Sequence, residues 1–224
     1  MGSLPLPLAL AARLLPVALL ASAGWALATG PSEATPNAED KSTQKQTSDT
    51  PSAPSASAAV KTFAASPAPC GGVQVATIKS LVPGAKTAGQ EIASTDKAVR
   101  RTCSWNALKG FDYRWLDVSY EIKDSNAAAE KAYKDRVADK SGGGAVPGLG
   151  DSAYSVVNLS TEDKQETREG VVIVRASNAL VVVTYNGSDF ETKKAPGSDE
   201  INKGAIKAAK EAVATLKDGQ SQKS

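Results

Sequence analysis

Histidine is absent from the 224 residues of this chain, and cysteine occurs only twice. Without histidine, neither a Ser-His-Asp triad nor a Cys-His nucleophile pair can form within the chain. Two thiols without a histidine also fall short of the four ligands of an ordinary zinc site. The sequence therefore nominates no catalytic residue, no metal ligand and no cofactor-binding residue.

An excess of charge of either sign is also missing. The chain carries 26 Lys and Arg against 24 Asp and Glu, which gives a formal net charge of +2. Basic and acidic side chains are interspersed, as in the run from Glu162 to Glu166. A surface of this kind does not steer a protein toward nucleic acid, so we expect no nucleic-acid partner.

Long apolar runs are confined to the N-terminus. Residues 14–28 are apolar or small, follow Arg13 and end in Ala26-Leu27-Ala28, which is typical of a signal peptidase site. As a helix this stretch would span about 22 Å, short of the roughly 30 Å of a hydrocarbon core. We predict that residues 1–28 are a signal peptide cleaved before Thr29. The alternative is an uncleaved anchor, through which alone the chain would contact a membrane.

Large apolar side chains are scarce between residues 29 and 68, where only Val60 and Phe63 occur. Ser, Thr, Pro and Ala dominate this stretch, and such a composition cannot offset the entropy of ordering. Most aromatic residues lie between Trp105 and Phe190. We therefore predict a disordered spacer over 29–68, a single α+β domain over 69–218 and a disordered tail over 219–224.

The two cysteines, Cys70 and Cys103, both lie inside the predicted domain. An exported protein meets an oxidising compartment, in which a cysteine pair of this kind forms a disulfide. Closing a loop of about 34 residues would stabilise the fold by roughly 3–4 kcal/mol. We predict a Cys70–Cys103 disulfide.

Three helices are predicted from apolar residues that recur at helical spacing. The first begins at Val75 and ends at Pro83-Gly84. The second follows the capping residues 124–126 and stops near Ser141. The third begins near Ser198, with acidic residues that suit the helix dipole. Its buried stripe is predicted to comprise Ile201, Ala205, Ala208, Ala209, Ala212, Val213 and Leu216.

About five strands are predicted from alternating or continuous apolar runs. A strand through Cys103 and Trp105 precedes a turn over 106–110 and a strand over 113–122, and three further strands cover 153–159, 170–175 and 179–185. The last two form a hairpin that is apolar on both sides, so we expect central strands covered on both faces. The expected fold class is α+β, an antiparallel sheet of about five strands packed against about three helices with one disulfide.

Several short motifs resemble one known family. Cys70 directly precedes a short helix, Cys103-Ser104-Trp105 follows, and Val-Pro-Gly-Leu-Gly-Asp-Ser-Ala over 146–153 leads into a β-rich end. Residues 66–217 thereby resemble the actinobacterial secreted proteins and lipoproteins grouped as domain of unknown function 3558. The resemblance implies an envelope or extracellular protein with no established activity and transfers no catalytic residue. Leu20-Ala21-Ser22-Ala23 stands where such lipoproteins carry a lipid-modified cysteine, so lipid anchoring is not expected.

The glycine-rich stretch from Gly142 to Gly150 invites comparison with a phosphate-binding loop. No Gly-Lys-Ser/Thr follows it, and no strand-loop-helix frame surrounds it. We expect instead that Gly148 and Gly150 supply backbone angles that other residues disfavour, and that Asp151 makes a local turn hydrogen bond.

Two aromatic residues form the candidate binding surface. Tyr113 and Trp115 alternate with the core residues of their strand and therefore project from its opposite face. One interpretation is an aromatic platform for a glycan or peptide. The other is burial beneath a helix, which the expected covering of both sheet faces favours.

These observations leave two functional hypotheses. The first is a secreted or envelope-associated, non-catalytic binding module whose partner is an envelope protein, a glycan or a small ligand, with no cofactor. The alternative is a carboxylate-dependent hydrolase that acts on cell-wall material. A pair of carboxylates a few ångströms apart in a deep pocket would favour the hydrolase.

Overall fold

The computed structural model describes residues 61–94 and 96–221, which form one antiparallel sheet with three helices. The predicted signal segment and residues 29–60 of the predicted spacer lie outside these ranges. Within them, no helix is both long and apolar enough to cross a bilayer. The elements in chain order are a 3-10 turn (Pro69–Gly71), α1 (Val75–Leu81), β1 (Gln90–Ile92), β2 (Arg100–Lys109), β3 (Asp112–Ile122), α2 (Asn126–Ala138), β4 (Gly144–Ala145), β5 (Ser152–Glu162), β6 (Gln165–Ala176), β7 (Ala179–Asp189) and α3 (Ser198–Ser221).

The α+β class, the three helices and the antiparallel sheet are confirmed, but the strand count of about five is wrong. The sheet has seven strands in the order β1-β2-β3-β7-β6-β5-β4. The two missed strands, β1 and β4, have only three and two residues and lie at the sheet edges. Strands of two or three residues are too short to show an alternating apolar pattern, so the sequence does not predict them. As short edge strands they leave little backbone free for pairing with another chain.

β2 is longer than the sequence indicates. The predicted turn over 106–110 is wrong, because the β2–β3 ladder continues to the pair Lys109↔Asp112 and the chain turns at Gly110 and Phe111. Asn106 and Lys109 have weak strand preferences, and cross-strand pairing with β3 overrides them. This extension carries Asn106 onto the same sheet face as Trp115, its direct partner across the strands.

α3 covers one face of the sheet and completes the core. All seven residues of its predicted stripe are buried. Small alanines allow the helix to approach closely, and a Cβ added to Gly170 of β6 would lie 2.8 Å from Ile201 Cγ2. Tyr120 of β3 donates a hydrogen bond from its hydroxyl to the Ala212 carbonyl over 3.0 Å, which fixes the helix on the sheet.

The other face is covered in part. Tyr133 and Val137 of α2 pack on a small cluster formed by Val156, Val171 and Ile173. The double-sided apolar pattern of β6 and β7 thus predicts central strands correctly. The expectation of a second covered face holds only above β5, β6 and the adjoining part of β7.

The predicted disulfide is present between Cys70 and Cys103, whose Cα atoms lie 5.0 Å apart. It joins the 3-10 turn before α1 to β2. The loop after α1 packs directly on it, since a Cβ added to Gly89 would lie 2.6 Å from Cys103 Sγ. Gly89 has a φ of +66°, which also favours glycine there.

Residues 61–68 belong to the domain, which corrects the spacer boundary predicted at residue 68. Phe63 is 5% exposed and joins the main core. The Asn178 side chain accepts a hydrogen bond from the Phe63 N–H (2.8 Å) and donates one to the Phe63 carbonyl (2.9 Å). At the other end, α3 continues to Ser221, past the domain end predicted at Asp218.

Candidate functional site

The side of the sheet that turns away from α3, hereafter the open face, carries polar residues along β2 and β3. Alternation places Thr102, Ser104 and Asn106 of β2 on it, opposite Ser119, Asp117 and Trp115 of β3. The positions between them, such as Cys103 and Leu116, enter the core beneath α3.

Four aromatic residues gather where β2 turns into β3 and β7 ends. Phe111, Trp115 and Phe190 are 54%, 37% and 47% exposed. The ring centroids of Tyr113 and Phe190 are 6.0 Å apart, and the Phe190 N–H donates to the Phe111 carbonyl over 2.9 Å. Leu108, 57% exposed, pairs with Tyr113 across the strands. We name these five residues the tip cluster, and both predicted site residues belong to it.

Trp115 and Tyr113 both lie on strand β3, and neither side chain is fully buried. The Trp115 Nε1–H donates to Ser104 Oγ (2.8 Å) and to Asp117 Oδ1 (2.7 Å). Partial burial, aided by the Asp117 carboxylate, raises the pKa of the Tyr113 hydroxyl above its ordinary value of 10.0. At neutral pH Tyr113 therefore keeps its proton and can donate a hydrogen bond. No helix of the described ranges buries either ring.

A row of side chains crosses five strands of the open face through Trp115. Consecutive partners in the ladders are Asn106, Trp115, Asn186, Glu169 and Asn158. Neighbouring strands lie about 4.8 Å apart, so the row is about 19 Å long. We name it the amide row, since three of its five members are asparagines flanking the indole and the carboxylate.

The polar groups of the amide row are available to a ligand. Asn106 and Asn158 are exposed, and Asn186 and Glu169 are partly exposed. Among the described residues, none of these four side chains has a hydrogen-bond partner, whereas Trp115 is tied to Ser104 and Asp117. Each asparagine offers one acceptor and two donor hydrogens, and the carboxylate accepts only.

The tip lies at the far end of the sheet from the point where the chain enters the domain. Lys61 pairs with Asp124 over 3.0 Å, just beyond the end of β3. Leu216 and Gly219 of α3 line a surface depression together with Phe63, so α3 ends there too. β3 has 11 residues, which span about 35 Å. The tip cluster therefore lies opposite Lys61 and the last turns of α3, the two ends of the described range.

The half of the open face farthest from the tip cluster holds a buried carboxylate, Glu121. Arg136 Nη2 donates to both of its oxygens (2.8 and 2.9 Å), Lys123 Nζ lies 3.1 Å away and Arg100 Nε lies 3.8 Å away. Burial alone would raise the pKa of Glu121, but Arg136 and Lys123 outweigh it and hold the pKa below its ordinary value of 4.5. This ion-paired cluster ties α2 to β3.

The glycine-rich loop confirms the prediction for its two glycines but not the one for Asp151. Gly148 and Gly150 have φ angles of +73° and +63°. The Asp151 carboxylate accepts a hydrogen bond from the Ser177 N–H (2.7 Å) and pairs with Arg175 Nη1 (3.1 Å). The bond from Asp151 reaches the β6–β7 turn and so is not local, contrary to the expectation.

Carboxylates and metal-binding groups give the hydrolase hypothesis no specific support. Every carboxyl group of the described residues with a displaced pKa has it lowered, because each accepts hydrogen bonds from a cationic side chain or a backbone N–H. A general acid for glycoside hydrolysis needs a raised pKa. In the same ranges, no cluster of three or more His, Cys, Asp or Glu could hold a metal ion. The groups with a lowered pKa are Glu91, Glu121, Glu130, Glu166 and Asp189.

The sequence nominates Tyr113 and Trp115 as a candidate surface and gives no signal for most of the residues that the fold places around them. Phe190 follows β7, and only the pairing of β7 beside β3 brings it to Tyr113. Asn186 and Glu169 join the row for the same reason, since β3 and β7 are distant in sequence. Asn106 was assigned to a turn. Its alternation with Ser104 could have placed it on the open face.

Comparisons with known proteins are sparse. No protein-family model matches the sequence, and no curated protein matches it. A crystal structure from Bacteroides thetaiotaomicron VPI-5482 is similar over 53% of this chain and 47% of its own, with 10% identity and a TM-score of 0.33. The extracellular domain of PknH from Mycobacterium tuberculosis is similar over 53% of this chain and 64% of its own, with 10% identity and a TM-score of 0.29. Less than two thirds of either structure is covered, and TM-scores this low support no argument about function.

Proposed function

We propose that this chain is an exported, non-catalytic binding module whose ligand docks on the tip cluster and the amide row. The observation that carries the proposal is Trp115, an indole fixed on a rigid strand, 37% exposed and flanked by unbonded asparagines. Grouped exposed aromatics mark interaction sites, and Trp and Tyr contribute most to binding where they are found. Sites built on strands also hold their geometry better than sites built on loops.

The proposed location is the cell envelope or the extracellular space. The Cys70–Cys103 disulfide is consistent with an exported protein, because such bonds persist in oxidising compartments. The resemblance to the secreted family of domain of unknown function 3558 points to the same location. With the predicted spacer attached at Lys61, the tip would face away from the point of attachment.

The test is retention of the purified full-length protein on envelope material, compared with the variant Trp115→Ala. Isolated envelope is incubated with each protein and sedimented, and the retained fraction is measured. We expect at least a tenfold weaker retention for Trp115→Ala, since loss of a central aromatic contact commonly costs 2 kcal/mol or more, about 30-fold.

Val75→Ala is the matched control, because Val75 is 52% exposed on α1, away from the open face. It should be retained like the unmodified protein. Urea unfolding of all three proteins shows whether Trp115→Ala remains folded, as its exposure leads us to expect. Absence of retention for the unmodified protein, or equal retention of a folded Trp115→Ala, would contradict the proposed function.

A further inference from the structure

We infer that the ligand is an uncharged polysaccharide segment that lies across the strands along the amide row. This inference rests on the proposed function and names the class of ligand for that site. It follows from three properties of the surface: the kinds of hydrogen-bonding group that it offers, its charge and its shape.

The hydrogen-bonding groups suit a sugar chain. A sugar ring has hydroxyl groups around its edge and carbon-bound hydrogens on its faces. Trp115 and Tyr113 offer partly exposed aromatic rings on which such a face can stack. On both sides of Trp115, the Asn106 and Asn186 amides offer donors and acceptors to hydroxyl groups, which both donate and accept.

The charge of the amide row and its neighbouring rows favours a neutral ligand over an anionic one. Besides the amide row, the open face near the tip carries the row Ser104, Asp117 and Thr184 and the row Leu108, Tyr113 and Ser188. These rows contain the carboxylates of Glu169 and Asp117 and no Lys or Arg. A phosphate-rich or carboxylate-rich polymer would therefore meet repulsion, whereas a neutral polymer meets groups that can each accept a hydroxyl hydrogen.

A protein partner fits the same surface less well. Protein interfaces bury their aromatic anchors in cores depleted of charged groups. Covering Asn106, Asn186 and Glu169 with an apolar protein surface would leave amide and carboxylate groups without hydrogen bonds, which is costly. A hydrated sugar chain can satisfy them directly or through water.

The shape of the surface accommodates an extended chain. The amide row is about 19 Å long and crosses five strands. It continues at β2 into a depression of about 380 Å³ beside the short strand β1, whose lining includes Lys86, Gln90 and Asn106. A ligand of several sugar units would therefore contact Asn106, Trp115 and Asn186 together.

Competition tests the ligand class. Full-length protein is bound to isolated envelope, and two competitors are added separately: polysaccharide freed of protein, and envelope protein extracted in detergent. We expect the polysaccharide to lower retention at least tenfold and the protein extract to change it less than twofold. Binding should also change less than twofold between about 0.05 and 0.5 M salt, because screening acts on charged partners.

The outcomes separate this inference from the proposed function. Displacement by the protein extract alone, or by neither competitor, overturns the polysaccharide inference and leaves the binding function intact. Failure of the unmodified protein to be retained overturns both. A retention that falls steeply with salt contradicts an uncharged ligand.

Two asparagine variants supply a sharper readout. Asn186→Ala should weaken binding to the free polysaccharide about fivefold, the loss expected for one hydrogen bond. Asn126→Ala, at the exposed start of α2, is the matched control and should leave the affinity unchanged. Equal affinities for these two variants, with both folded, would show that the amide row does not contact the ligand.

Discussion

Gly150 illustrates how a single residue fixes the path of the loop that leads into β5. Its φ is +63°, and an added Cβ would lie 2.4 Å from the Arg175 carbonyl oxygen. Gly148 has a similar φ of +73°, but an added Cβ there would meet open space. Comparing the same substitution at the two glycines therefore distinguishes the cost of backbone strain from the cost of steric overlap.

We predict that Gly150→Ala lowers the free energy of unfolding by at least about 3 kcal/mol, because strain of about 1–2 kcal/mol adds to the overlap with backbone. Gly148→Ala should cost only the strain. Urea unfolding of both variants measures the difference. Equal losses of unfolding free energy in the two variants would mean that the loop moves away from Arg175 and relieves the overlap.

Glu121 makes stability depend on pH. Its pKa in the folded protein lies below the ordinary value of 4.5, so its stabilising contribution is fully present above that value. The contribution disappears as the pH falls through the lowered pKa. Glu121→Gln keeps the shape of the side chain and removes the charge that Arg136 and Lys123 face.

We predict that Glu121→Gln lowers the free energy of unfolding by about 1–3 kcal/mol at pH 7, discounted for the partial exposure of both cations. The difference from the unmodified protein should shrink as the pH drops below 4.5. The free energy of unfolding of both proteins, measured across this pH range, tests whether the difference shrinks toward acid. A difference that grows toward acid would contradict the ion-paired arrangement.

At the scale of elements, long elements follow from the sequence and short ones do not. The apolar patterns of α3 and β7 predict their starts at Ser198 and Ala179 correctly. β6 starts at Gln165, five residues before the predicted Gly170, because its first residues are polar and show no apolar run. β1 and β4 carry no pattern and exist because the neighbouring strands offer them partners. The pairing of β3 with β7 has no local signal either, and it is this pairing that assembles the amide row.

The segment 61–68 depends on a partner remote in sequence. Phe63 is held by Asn178, whose side chain is fully buried and also donates to the Lys123 carbonyl over 2.9 Å. Composition alone predicts a spacer here, because Phe63 is the only large apolar side chain of the segment. Its order comes from tertiary contacts that the composition does not encode.

We predict that Asn178→Ala lowers the free energy of unfolding by roughly 3 kcal/mol, since two buried hydrogen bonds and one partly buried hydrogen bond are lost. It should also remove protection of the Phe63 amide from hydrogen exchange. Ser66→Ala, which removes one bond of 3.3 Å to the Tyr120 carbonyl, is the control and should retain that protection. Continued protection in Asn178→Ala would show that Phe63 packing alone holds the segment.

At the scale of the whole described domain, the ends of the described range and the tip cluster lie at opposite ends of the sheet. Lys61 and the last turns of α3 lie at one end of the sheet, and the tip cluster lies at the other. The disulfide and the Asn178 contacts stabilise the half of the domain that holds Lys61, whereas the rings and amides at the tip keep exposed surface. In the proposed function, the predicted spacer would hold the domain from the Lys61 end and leave the tip cluster facing a ligand.

The indole N–H signals in a ¹H–¹⁵N spectrum test the central claim most directly, because the domain contains its own reference. Trp105 is buried and donates to the Thr87 carbonyl over 3.1 Å, whereas Trp115 lies in the proposed site. Adding polysaccharide extracted from the envelope should shift or broaden the Trp115 signal strongly and affect that of Trp105, which is buried behind the depression at β2, much less. An unchanged Trp115 signal under conditions where the protein binds would contradict the account.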